Sequence, residues 1–178
     1  MTVIHWLGAG LSSTYGIEHF VNNDNISLNI WMRNVEKAPD NWREAEHVQI
    51  LPFSDEVLDR SIAAGDIVIS MLPFTLHYQY ALMAINNAAH FICTSYLSPE
   101  VAYLEEKARE AGVLLVAEMG LDPGIDHILT HCLIDQAKME LGDLDNFKIS
   151  LLSLCGGVPN VANDFLYKFS WSPVGILK

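Results

Sequence analysis

Val3-Ile4-His5-Trp6-Leu7-Gly8-Ala9-Gly10-Leu11-Ser12-Ser13-Thr14 is the stretch whose reading decides the fold. Residues 3–7 form a short apolar run with β-branched and aromatic side chains, which predicts a strand. The run ends in Gly8-Ala9-Gly10. Residues 12–22 follow, with Tyr15, Ile17, Phe20 and Val21 as apolar positions, and predict a helix. A Gly-x-Gly pair is weak by itself, but between a strand and a helix it is half of a dinucleotide fingerprint. The first glycine permits the tight turn, and the second lets the backbone approach a pyrophosphate seated on the helix N-terminus. Ser13 stands at the third fingerprint position. It is small enough for close helix packing, and the hydroxyls of Ser12, Ser13 and Thr14 can bond phosphate. Gly8, Gly10, Leu11, Ser12 and Ser13 are therefore the candidate cofactor-binding turn.

Outward from this turn the chain alternates. Strands are expected at residues 26–32, 48–51, 66–72, 90–94 and 113–117, and helices at 12–22, 54–64, 76–88 and 99–111, with a less regular helical segment at 42–46. Ser54 is the expected cap of its helix, and Gly112 stops the helix before it. The run Asp66-Ile67-Val68-Ile69-Ser70-Met71-Leu72 is almost continuously apolar, as in a parallel strand buried on both faces. The expected fold class is α/β, a Rossmann-type doubly wound parallel sheet followed by the start of a second, mixed α/β substrate domain. The boundary falls in the loop after the last strand, giving residues 1–122 and 123–178. Beyond it, a helix is expected at 125–141 and strands at 147–154 and 167–171.

The 178 residues carry a net charge of −12, with 51% hydrophobic residues and a mean hydropathy of +0.21. An acidic chain repels a phosphate backbone, so nucleic acid is excluded as a partner. No apolar run reaches the roughly 18–20 residues of a membrane span. The N-terminus has no basic leader before its apolar run, so a cytoplasmic protein is expected. Cys93, Cys132 and Cys155 are too few and too widely spaced for a disulfide framework or a zinc site. Cys93 and Cys132 read as small buried hydrophobes. His127 and His131 have the i,i+4 spacing of metal ligands but no third ligand of matching spacing, so no metal is expected.

The strand ends carry the remaining chemistry. After the second strand come Arg33 and Asn34, with no acidic residue to bond ribose hydroxyls. Arg33 can pair with a 2′-phosphate, which favours NADP over NAD. Leu72-Pro73 ends the fourth strand and Ser95-Tyr96 follows the fifth, both on the side where ligands of such sheets bind. The loop Glu118-Met119-Gly120-Leu121-Asp122-Pro123-Gly124-Ile125-Asp126-His127 packs three carboxylates and a histidine into one turn. Asp122 could cap the following helix, and Asp126 reads as a first-turn acid that suits the helix dipole.

The segments DIVISMLPFTLH (66–77), FICTSYLSPE (91–100), EMGLDPGIDH (118–127), SLCGGVP (153–159) and YKFSWSPVGIL (167–177) occur in this order. Together they resemble saccharopine dehydrogenase of the L-glutamate-forming type. The resemblance implies NADP, a substrate domain that often mediates dimerisation, and a small-molecule amino-acid substrate. The reaction it implies joins α-aminoadipate semialdehyde to glutamate through an imine that hydride then reduces, a step of lysine metabolism. It also implies catalytic roles for Tyr96, Asp122 and Cys155, and a substrate contact for Glu118. Lys168 and Trp171 lie in a block that the resemblance places close to the cofactor. Members of the family continue for roughly another domain beyond the position of Lys178, and that part is expected to carry the basic partners of the substrate carboxylates. The apolar strands at 147–154 and 165–171 predict a homodimer. Two other readings are a non-catalytic NADP-binding module and a related imine reductase of polyamine synthesis.

Overall fold

A strand buried on both faces needs neighbours on both edges, and Val3–Leu7 (β1) has them. The computed structural model describes residues 2–156, 159–162, 164 and 166. β1 pairs in parallel with Ser27–Met32 (β2) on one side and Ile67–Ser70 (β4) on the other. Val48–Pro52 (β3) extends the sheet beyond β2, and His90–Cys93 (β5) and Leu115–Val116 (β6) extend it beyond β4. The order β3-β2-β1-β4-β5-β6 is the doubly wound arrangement expected from the alternation. The strand order reverses direction between β1 and β4, and the crevice at that point is where such sheets take ligands.

The period-2 alternation of the strands divides the core in two. On one face, Ile4, Trp6, Leu28, Ile30 and Met32 pack with Ile17 and Val21 of helix Thr14–Val21 (α1) and Trp42 of Asp40–Glu44 (α2). On the other, Leu7, Trp31, Val68 and Phe91 pack with Leu58 of Asp55–Ser61 (α3), Tyr80 to Ile85 of His77–Asn86 (α4) and Ala108 of Glu105–Ala111 (α6). Ser54 caps α3 by accepting from the Val57 N–H, and Gly112 ends α6 in the left-handed region at φ 70°.

Several elements differ from expectation. The helix expected at 99–111 is two helices, Pro99–Ala102 (α5) and α6. At Tyr103 and Leu104 the chain stays right-handed but tightens, and the Leu104 N–H bonds to the Val101 carbonyl three residues back. The strand expected at 113–117 is paired only over Leu115–Val116. Residues 147–154 do not form the expected strand. They are exposed, and among the described residues no strand lies beside them to take up their backbone hydrogen bonds. The strand expected at 167–171 lies outside the described residues, as does Phe165. The helix Ile125–Leu141 (α7) forms as expected but buries none of its residues. Cys132 is therefore exposed rather than the buried hydrophobe expected, whereas Cys93 is buried.

α1 approaches β1 closely at Gly16. A Cβ built on Gly16 would collide with the Trp6 ring, whose indole N–H also donates to the Gly8 carbonyl at 3.0 Å. Gly16→Ala should therefore overpack the interface and lower stability by about 1–3 kcal/mol. In an exposed helix the same change would gain up to about 1 kcal/mol. Urea unfolding checks this, and a variant as stable as the parent would mean that α1 can move off Trp6.

Candidate dinucleotide site

The carboxyl ends of β1, β2, β4 and β5 bring most of the expected residues to one edge of the sheet. Gly8 sits at φ 94°, a backbone conformation that side chains rarely adopt, and donates its N–H to the Trp31 carbonyl at 3.0 Å. A Cβ there would press on the Leu72 side chain at 3.2 Å and the Met71 carbonyl at 3.4 Å. The glycine thus lets the β1 turn nest against the β4 turn. Gly10, by contrast, faces open space where a Cβ would meet nothing within 4 Å. Leu11 is 81% exposed, Ser12 is exposed, and the Ser13 N–H closes the turn onto the Gly10 carbonyl at 3.0 Å. Ser13 itself is buried, and among the described residues its hydroxyl has no hydrogen-bond partner. A buried orphan hydroxyl beside an open glycine at a helix N-terminus fits a bound pyrophosphate. Arg33 is exposed just past the end of β2, on the adenosine side of the same crevice.

The other side is built by the β4, β5 and β6 ends. Leu72 is half-buried and Pro73 is exposed, opening a 3-10 turn at Phe74–Leu76. Ser70 at the end of β4 and Ser95 beyond β5 are joined through His77, the first residue of α4. The His77 Nδ1 lies 3.0 Å from the Ser70 hydroxyl and Nε2 lies 2.9 Å from the Ser95 hydroxyl. His77 is 2% exposed, and burial lowers its pKa to about 4. Nothing in the local pattern singles it out, because a histidine at a helix start has many uses. Its only signal is the seven-residue spacing from Ser70 across a strand-turn-helix.

Tyr96 donates its hydroxyl to the Asp122 carboxylate at 2.8 Å, so two residues 26 apart in sequence meet at the mouth of the crevice. Tyr96 is 62% exposed. Its pKa is raised, first by the hydrogen bond to Asp122, then by desolvation and by the charges of Asp122, Asp126 and Glu118. Glu118 is locked beneath them. Its N–H donates to the Ser95 carbonyl at 3.0 Å, its carboxylate accepts from the Leu97 N–H at 3.1 Å, and its backbone is left-handed at φ 63°. Asp122 does not cap α7. Asp126 occupies the first turn as expected, and its carboxylate accepts from the Gly124 N–H at 2.8 Å. Cys155 is exposed and lines a separate groove with Leu121, Asp126 and Leu129, between α7 and residues 151–156. Lys168 and Trp171 lie outside the described residues.

A glycine turn, an orphan hydroxyl and an arginine around the switch point of a doubly wound sheet define a dinucleotide-binding protein. Residues 4–116 match the saccharopine dehydrogenase NADP binding domain, and residues 120–178 match the saccharopine dehydrogenase C-terminal domain. The chain belongs to the saccharopine dehydrogenase family, whose first domain takes NADP. It is 34% identical over 177 residues to the mitochondrial alpha-aminoadipic semialdehyde synthase of Bos taurus, covering 96% of this chain and 19% of that protein. It is also 34% identical over 176 residues to the saccharopine dehydrogenase [NADP(+), L-glutamate-forming] of Saccharomyces cerevisiae, covering 96% of this chain and 39% of the relative. The apo structure of the L-Glu-forming saccharopine dehydrogenase of that yeast superposes with a TM-score of 0.74 at 28% identity, over 99% of this chain and 40% of that one. The chain therefore spans well under half the length of these relatives.

The buried imidazole gives the site a pH signature. The pKa of His77 in the folded chain lies below the 6.5 of a free histidine, so the unfolded chain takes up the proton first. The stabilisation is complete above about pH 6.5 and is lost as pH falls towards about 4, by up to ~1.4 kcal/mol per pH unit. His5, also lowered by burial, acts in the same direction. Between pH 7 and 5, the stability advantage of the parent over His77→Gln should shrink by about 2 kcal/mol in urea unfolding. An advantage that stays constant with pH would mean that His77 is protonated as readily folded as unfolded.

Proposed function

We propose that this chain is the nucleotide-binding portion of an NADP-dependent oxidoreductase that reduces the imine formed between glutamate and aminoadipate semialdehyde. The observation that carries the reading is the Tyr96–Asp122 hydrogen bond, at the crevice mouth on the β4–β5 side of the glycine turn. The bound dinucleotide supplies or accepts the hydride. The protein's tasks are then to orient the imine carbon and to move protons as the carbinolamine loses water and as the imine nitrogen becomes an amine. A tyrosine kept protonated by its bond to a carboxylate is a donor at neutral pH, and in the reverse direction the same oxygen takes the proton back, with Asp122 as its adjoining base. Glu118 is fixed by two backbone bonds beside this pair, a suitable place for a substrate amine. Cys155, in the groove shared with Leu121 and Asp126, is the third candidate.

On the nucleotide, Gly8, Gly10, Leu11, Ser12 and Ser13 would hold the pyrophosphate, Arg33 the 2′-phosphate, and Leu72, Pro73 and Ser95 the nicotinamide side. The names of the relatives favour an enzyme over a non-catalytic sensor, and favour saccharopine over a polyamine-pathway imine. Fluorescence titration with NADPH and NADH tests the reading. NADPH should bind selectively, and Arg33→Ala should weaken it by about 10- to 100-fold, as expected for loss of a charge-assisted pair, with NADH unaffected. A folded sample that binds neither nucleotide would overturn it.

A further inference from the structure

Ser70 is fully buried, and among the described residues its hydroxyl has one partner, the His77 Nδ1. A buried hydroxyl proton with no acceptor is costly, so the Ser70 O–H donates to Nδ1. A ring that accepts at Nδ1 carries its proton on Nε2, which is 2.9 Å from the Ser95 hydroxyl. That bond occupies a lone pair of the Ser95 oxygen, and among the described residues no acceptor takes its hydrogen. Burial keeps the ring neutral at physiological pH, so this direction is not scrambled by a second ring proton. Ser95 is only half-buried, and its carbonyl accepts from the Glu118 N–H. It lies on the β4–β5 side of the switch point, which receives the nicotinamide half of a dinucleotide.

We propose that His77 is a positioning residue that polarises a one-way hydrogen-bond chain, Ser70 to His77 to Ser95, and so presents the Ser95 hydroxyl as a donor to an acceptor oxygen on the nicotinamide half of the bound dinucleotide. The inference rests on the dinucleotide reading above and adds to it the group that orients Ser95. Nothing in the expected turn or strand-end residues requires it.

Two measurements test it. Imidazole 15N shifts of the free protein at neutral pH should place the His77 proton on Nε2, and a proton on Nδ1 would overturn the chain's direction. Titrations with NADPH and with 2′-phospho-ADP-ribose, which lacks nicotinamide, should then separate positioning from fold. His77→Leu and Ser95→Ala should each weaken NADPH by about tenfold, the effect of one lost hydrogen bond, and leave 2′-phospho-ADP-ribose within about twofold. His77→Gln, whose amide N–H can replace the Nε2 donor, should restore NADPH affinity to within about threefold. Equal weakening of both ligands, or unchanged NADPH affinity in Ser95→Ala, would overturn the positioning role. A parent protein that binds neither ligand would remove the dinucleotide reading and this inference with it. One that binds both, with variants unaffected, would remove the inference alone.

Discussion

The sheet is organised around one buried carboxylate. Asp66, 4% exposed just before β4, accepts the Val3 N–H and the Ala63 N–H, both at 2.9 Å, and lies 3.3 Å from the His5 Nε2. The other nitrogen of His5 accepts the Trp31 indole N–H at 3.2 Å. The ring is thus a neutral imidazole with its proton on the Asp66 side, consistent with the lowering of its pKa by burial. Through this set, the start of β1, the turn before β4 and the inward face of β2 are held to one another. An error of one residue in register would move every core side chain to the wrong face. A polar group inside an apolar sheet costs free energy unless its bonds are made, and here that cost restricts the pairings that can form.

With β1 fixed between β2 and β4, its carboxyl end becomes the switch point, and the rest of the site follows from where each strand stops. Gly8 can turn against Leu72 only because it lacks a side chain, and Gly10 two residues on faces open space. The same ends set a division of labour. β1 and β2 present the glycine turn and Arg33. β4, β5 and β6 present the serines, the tyrosine and the carboxylates. Glu118 shows how tightly the second group is held, since its left-handed backbone is stabilised by bonds at both its N–H and its carboxylate.

What was legible in the sequence was what depends on local pattern. The apolar runs at residues 3–7 and 66–72 could be read because strands buried on both faces have no polar alternation to confuse them. The glycine turn and the Ser54 cap followed from the same reading, while the roles of Tyr96, Glu118 and Asp122 came from the family resemblance. Features that depend on partners distant in sequence were not legible. Gly16 is a helix glycine like any other until Trp6 is seen beneath it. His77 acquires meaning only from two serines, one ending β4 and one just beyond β5. Residues 147–154 have the composition of a strand, but a strand is made by its neighbour. The same logic applies to Cys132, whose helix has apolar residues but, among the described residues, buries none of them.

The Val3–Asp66 bond spans 63 residues of chain. During synthesis β1 and β2 can pair early, but the opposite edge of β1 stays open until β4 has left the ribosome. Closing so long a loop costs more entropy than joining the other adjacent strands, whose partners lie closer in sequence. In that interval an apolar strand with a free edge is the chain's most exposed point for pairing with a neighbouring nascent chain. The arrangement that centres the nucleotide site in the mature sheet also leaves its first strand half-paired until two further strands have followed it.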